Sequence, residues 1–237
     1  MKMKAIIIED EFNAREEIEL LLEETGEVEV IQKCANALDG IKAINKYHPD
    51  VIFLDIQLPV INGFEMLAMI EDSIMPRVAF VTAYDEFALQ AFENDALDYL
   101  LKPVEKERLN KTIKKVKKAI LTNEAQEFEI PPLKKIPTIA PHKIKLVDVD
   151  SLEFVHSNES GVFFSCGEKK CFTDLTLRVL EERTDLFRCH KQYLVNLDKI
   201  DEILFEENSA GKIRTVSNHL IPVSRHYMKD LKGYLGL

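Results

Sequence analysis

The hydrophobic periodicity of this chain changes once, near residue 122, and that change limits the possible folds more tightly than composition does. Before it, short β-branched runs alternate with amphipathic stretches. The runs are Lys4 to Ile8, Val28 to Cys34, Val51 to Leu54, Arg77 to Val81 and Tyr99 to Leu101. Ala14, Ile18, Leu21 and Leu22 mark a helical face between the first two runs; Leu109, Ile113, Val116 and Ile120 mark another after the last. Such alternation builds βαβ units, so residues 1–121 are expected to be an α/β doubly wound domain with five parallel strands and five helices. From 122 to 141 the periodicity stops and Pro131, Pro132, Pro137 and Pro141 appear, as in an extended, semi-stiff linker. Residues 142–237 then read as short strands: Ile144 to Val147, Leu152 to Val155, Val162 to Ser165, Lys170 to Phe172, Tyr193 to Val195, Ile200 to Phe205, Ile213 to Val216 and Leu220 to Val223. Only Leu175 to Glu182 and Arg225 to Leu235 read as helices. The second domain is mostly β and lacks a helix-turn-helix pattern.

A length of 237 residues suits two domains with a core each. No apolar run approaches the roughly 18 residues of a membrane span, and no basic-then-apolar leader opens the chain, so a cytoplasmic protein that is not membrane-embedded is expected. The net charge of -10 is unevenly spread. Residues 1–103 hold 21 acids and 8 bases, residues 104–118 hold 7 bases and 2 acids, and residues 142–237 hold 15 acids and 14 bases. Cys34, Cys166, Cys171 and Cys189 show no metal-binding spacing and are expected to be reduced thiols serving as small buried hydrophobes.

Open α/β sheets place their ligand crevice at the carboxyl ends of the strands, where this chain puts its chemistry. KAIIIED ends in Glu9 and Asp10, VIFLD in Asp55, VAFVT in Thr82 and YLLKP in Lys102. Three carboxylates on one rim repel one another unless a cation lies between them, and oxygen donors with an open coordination sphere suit Mg²⁺. An aspartate beside such a cation can accept a phosphoryl group. A lone aspartate after an apolar strand is ordinarily a cap or turn residue, and Tyr99 alone would be a core aromatic. The Lys102-Pro103 step suits a cis bond that aims the ammonium at the site. Glu65 is assigned to a solvated helix face.

These segments, with LDIQLPVINGFEML around Asp55 and VTAYDEFALQAFENDALDYLLKPV, resemble the receiver domain of two-component response regulators over about 120 residues. The resemblance implies a flavodoxin-like fold, Asp55 as phospho-acceptor, Glu9, Asp10 and Asp55 as Mg²⁺ ligands, and Lys102 as counter-charge to the phosphoryl group. It implies Thr82 and Tyr99 as the switch pair. Glu9 stands where many receivers carry Asp and keeps the carboxylate.

LFRCHKQYLVNLDKIDEI and LIPVSRHYMKDLK, with VDVDSLEFVHSNESGVFF and FTDLTLRVLEERTDLF upstream, resemble the LytTR DNA-binding family from about 142 to 235. In that family, loops between strands enter the major groove. Arg188, His190, Lys191 and Gln192 combine two cations, a titratable ring and an amide, groups that grip phosphates or base edges. The resemblance adds contacts from the loop around His156, Ser157 and Asn158 and from Ser224 and Arg225. Cys189 and Tyr193 read as packing residues, and Asn196 as a turn cap. The expected partners are double-stranded DNA, a LytS-type membrane sensor histidine kinase, and a second copy of the chain once phosphorylated. That dimer is expected to use the Phe87 to Asn94 helix, the Tyr99 strand and the Lys106 to Leu121 helix, whose Lys106, Arg108, Lys111, Lys114 and Lys115 face a domain rich in acids.

Two other classes compete with a phosphorylation-activated transcriptional regulator. A protein-interaction module is favoured only by the output domain's near-neutral charge, and a steep salt dependence of duplex binding separates the two. An enzyme is disfavoured because residues 142–237 offer no nucleophile-base pairing or metal spacing.

Overall fold

The computed structural model describes residues 2–84, 96–122, 132–140, 143–166, 169–205 and 210–236. The chain divides into two compact units, Met1–Pro131 and Pro132–Leu237.

In the first unit, strands β1 (Met3–Ile8), β2 (Val28–Cys34), β3 (Val51–Leu54), β4 (Arg77–Thr82) and β5 (Asp98–Leu101) form one parallel sheet in the order β2-β1-β3-β4-β5. The central runs are apolar throughout because both faces are covered: β3 is buried at all four residues. On one face, Ile18 and Leu22 of α1 (Phe12–Glu24) and Leu109, Ile113 and Val116 of α4 (Lys106–Thr122) pack on Ala5, Ile7, Phe53 and Val81. The other α-helices among the described residues of this unit are α2 (Ala37–Tyr47) and α3 (Gly63–Leu67). The expected helix from Phe87 to Asn94 lies outside the described residues.

The second unit is mostly β, as expected. An antiparallel sheet runs β10-β9-β8-β12-β11, from β8 (Phe154–Asn158), β9 (Gly161–Cys166), β10 (Lys169–Thr173), β11 (Phe187–His190) and β12 (Tyr193–Val195). A second sheet joins β13 (Ile200–Phe205), β14 (Gly211–Thr215) and β15 (Leu220–Val223). Helix α5 (Leu177–Arg183) packs against β8 and β12, and Met228 and Leu231 of α6 (Arg225–Leu235) join Cys189, Val195, Ile213, Ile221 and Val223 in a core.

Four expectations need correction. The linker, drawn over 122–141, contains β6 (Lys135–Ala140), which pairs with β7 (Lys143–Asp148). Pro137 hid it, yet a proline is compatible with a two-stranded edge, where alternate N–H groups point away from the partner. Leu133 N–H also donates to the Arg183 carbonyl at 2.6 Å, so the proline-rich stretch ends pinned to the second unit. Arg188 and His190, read as loop residues, lie on β11, whose alternation is obscured by its charged side chains. The strand expected from Leu152 begins at Phe154, after a single 3-10 turn over Val149–Ser151. Finally, Cys171 is disulfide-bonded rather than a reduced thiol; it lies on β10, opposite Phe164 of β9. Cys34 and Cys189 are free and buried, and burial pushes both thiols up to about 12, which leaves them unreactive.

Candidate functional site

Parallel pairing brings the ends of the central strands level: Glu9 N–H donates to the Cys34 carbonyl and Asp55 N–H to the Ile8 carbonyl, both at 2.9 Å. The two carboxylates therefore leave the sheet side by side, and with Asp10 they offer oxygen atoms within 4.8 Å of one another. Glu9 is 1% exposed and Asp55 6%, whereas Asp10 is exposed. Burial, aided by the charge of Asp55, raises the pKa of Glu9 despite the hydrogen bond from Lys102. Lys102 Nζ lies 2.7 Å from Asp55 Oδ2 and 2.5 Å from Glu9 Oε2. Burial works against its charge but is outweighed by the hydrogen bonds to Asp55 and Glu9, so its pKa lies above the ordinary lysine value. Lys102 and Pro103 are joined by a cis peptide.

The surroundings of Asp55 are held tightly. Gln57 N–H donates to Asp55 Oδ1 at 3.1 Å, and a Cβ on Gly63 would stand 2.7 Å from the Asp55 carbonyl, so the turn requires glycine there. Asn62 and Glu65 close α3 with a reciprocal capping box, which gives exposed Glu65 a cap role beyond that of a solvated face. Thr82 is fully buried and its hydroxyl has no hydrogen-bond partner among the described residues. Tyr99 is buried, with its hydroxyl donating to the Tyr84 carbonyl, so the ring points inward. The donor set of three carboxylates is all oxygen and can hold a hard cation.

The basic residues of α4 are less available than the sequence suggested. Asp98, fully buried, receives Arg108 through both terminal nitrogens at 2.6 Å, Thr112 Oγ1 at 2.7 Å and Lys115 Nζ at 2.9 Å. Burial opposes the charge of Asp98, but these bonds outweigh it and hold the carboxyl far below the usual range. Lys106 pairs with Glu24 at 2.7 Å. Sequence reasoning missed Asp98; its signal was a lone acid opening an apolar strand.

In the second unit, Ser157 N–H donates to the Gln192 carbonyl at 2.9 Å and Ser224 N–H to the Cys189 carbonyl at 3.0 Å, which gathers the β8–β9 turn, the β11–β12 turn and the start of α6. Asn158, Lys191 and Arg225 are exposed there, and Gln192 is half-buried. His190 Nδ1 accepts from Gln192 N–H at 3.2 Å, and burial, with Lys191 and Arg188 nearby, lowers its pKa. Arg188 turns instead toward α5, with Nε 3.5 Å from Glu181 Oε2. Across the whole sheet runs a file of rings that the strand-by-strand reading missed: Phe172, Phe163, His156, Tyr193 and His190, with successive centroids 5.5, 5.7, 5.7 and 5.8 Å apart. Its signal was the matched register of aromatics on successive strands.

An acid-rimmed parallel sheet with a lysine bridging two of its carboxylates defines a receiver of the response-regulator class. The family models agree along the chain, the response regulator receiver domain matching residues 5–114 and the LytTr DNA-binding domain residues 142–236. The chain belongs to the LytTR family of response regulators, two-component transcriptional regulators rather than enzymes. An uncharacterized response regulatory protein of Vibrio cholerae is 47% identical over 99% of each chain. The transcriptional regulatory protein BtsR of Salmonella typhimurium is 42% identical, covering 99% of this chain and all of its own. Among solved structures, the response regulatory domain of mrkE from Klebsiella pneumoniae matches 51% of this chain and 99% of its own at 33% identity, with a TM-score of 0.46. No helix among the described residues is long and apolar enough to cross a membrane.

Proposed function

We infer that Asp55 accepts a phosphoryl group from a sensor histidine kinase of the LytS type, and that the second domain then binds promoter DNA. The observation that carries this reading is the Lys102 ammonium held between Asp55 and Glu9 beside a buried, unpartnered Thr82 hydroxyl. Asp55 Oδ attacks phosphorus while the donor nitrogen leaves, and Lys102 neutralises charge on the incoming group. Thr82 gains a partner when a phosphoryl oxygen arrives within reach, and Tyr99 responds by repacking. Glu9, Asp10 and Asp55 would hold Mg²⁺, which when bound offsets the negative charge gathered at the acceptor.

Asp55→Asn should abolish labelling by a small phosphodonor, and EDTA should abolish it in the parent protein; persistence of label in either case sinks the assignment. On the DNA side, Asn158, Lys191, Gln192, His190 and Arg225 lie on the surface gathered by the three loops, and Arg188 beside it. Lys191→Ala and Arg225→Ala should each weaken operator binding by about 1–3 kcal/mol while leaving the fold intact, because both side chains are exposed. Competition on a randomised operator, alongside thermal melts, measures this, and unchanged affinity in both variants would favour the interaction-module reading instead.

A further inference from the structure

Arg15 is a cation placed where a helix disfavours one. It lies in the first turn of α1, where the partial positive charge of the helix N-terminus opposes a guanidinium, and no acid in that turn offsets it. The domain is rich in acids, yet among the described residues half-buried Arg15 has no ion-pair partner. Its bonds go to two backbone carbonyls instead. Arg15 Nη1 donates to the Glu9 carbonyl and stands 3.4 Å from the Asp10 carbonyl. The guanidinium also lies over the Phe12 ring, 5.7 Å from its centre, which restrains it from a further side. Glu9 and Asp10 are the two residues whose carboxylates meet that of Asp55.

We propose that Arg15 is a positioning residue for the cation site: by holding the carbonyls of Glu9 and Asp10 it fixes the direction in which both carboxylates leave the turn between β1 and α1. This role rests on Glu9, Asp10 and Asp55 holding Mg²⁺. Glu9 has other restraints, with Oε1 accepting from Glu11 N–H at 3.1 Å and Oε2 beside Lys102. Asp10 is exposed, and among the described residues nothing donates to its carboxylate, so its aim depends on the backbone that carries it. Mg²⁺ demands near-ideal octahedral geometry and Ca²⁺ does not, so a loosened turn penalises the smaller ion more. As a charge alone Arg15 would act the other way: a guanidinium beside the site repels any divalent cation, and its removal would tighten binding. Positioning and repulsion therefore predict opposite signs.

The test uses the full chain, with Mg²⁺ and then Ca²⁺ titrated calorimetrically at constant ionic strength, well below the thermal midpoint of each variant. Arg15→Ala is expected to weaken Mg²⁺ binding by about 10–100-fold, the range typical when a group that orients metal ligands is removed, and Ca²⁺ binding by less. Arg15→Gln, which keeps an N–H donor without the charge, should recover part of the loss. Labelling by a small phosphodonor should slow in Arg15→Ala at low Mg²⁺ and return to the parent rate at saturating Mg²⁺, because the acceptor itself is intact. Mg²⁺ affinity equal to or tighter than the parent's overturns the proposal, as does an equal loss for the two ions. A lower melting temperature with unchanged Mg²⁺ affinity also overturns it and leaves Arg15 a role in fold stability alone. If Arg15→Ala does not fold, Arg15→Gln is judged by the same comparison. A parent protein that binds no Mg²⁺ refutes the cation site itself, an outcome visible before any variant is compared.

Discussion

Val60, five residues after Asp55, has φ of 72° and is 56% exposed. A β-branched side chain is rare in the left-handed region because its branches crowd the backbone. Little burial compensates at this exposure, so Val60→Asn, which tolerates that conformation, should stabilise the receiver by about 0.5–1 kcal/mol. Urea unfolding measures it, and an unchanged or lower midpoint would show that Val60 makes a contact worth its strain. At the same scale, Glu9, Asp10, Asp55 and Lys102 were legible in the sequence because each follows an apolar strand and strand ends converge. The destination of Arg188 was not: an arginine in a charged segment looks solvent-facing until its side chain is seen to turn toward Glu181 of α5.

Among the elements, β5 and α4 are fastened together by the bonds from Arg108, Thr112 and Lys115 to Asp98. The folded carboxyl titrates below its unfolded value of about 3.9, so its contribution is fully present above that pH and is lost as pH falls toward the folded pKa. Asp98→Asn should cost about 1–3 kcal/mol at pH 7, since Arg108 and Lys115 are partly exposed and can rehydrate. Its stability should also fall less than that of the parent below about pH 4. Urea denaturation across that range is the measurement, and parallel pH profiles for the two proteins would remove the carboxylate from the account. The long amphipathic helices and the β-branched parallel strands were readable from period alone. The short antiparallel strands β6 and β11 were not, because a proline in one and charges in the other mask a period that spans few residues.

For the whole molecule, phosphorylation is expected to produce a homodimer of receivers, with part of the predicted basic surface already committed: Arg108 and Lys115 serve Asp98 and Lys106 serves Glu24. Exposed Lys111 and Lys114 remain as candidates for contacts across the dimer. Ion pairs of this exposed kind contribute about 0–1 kcal/mol each, so the dimer should loosen as salt rises. Sedimentation with and without phosphodonor, at two salt concentrations, checks both statements, and an identical monomer fraction in every sample would refute them. The file of rings across the larger output sheet bears on how such states can be watched. The chain has no tryptophan and six tyrosines, so its intrinsic ultraviolet emission is tyrosine emission. Tyr193 sits in that file between His156 and His190, two residues from exposed Lys191. Arrival of a polyanion at the adjoining turn favours protonated imidazole, and a charged imidazole quenches a neighbouring phenol, which makes Tyr193 a built-in optical probe of the output domain that needs no dye.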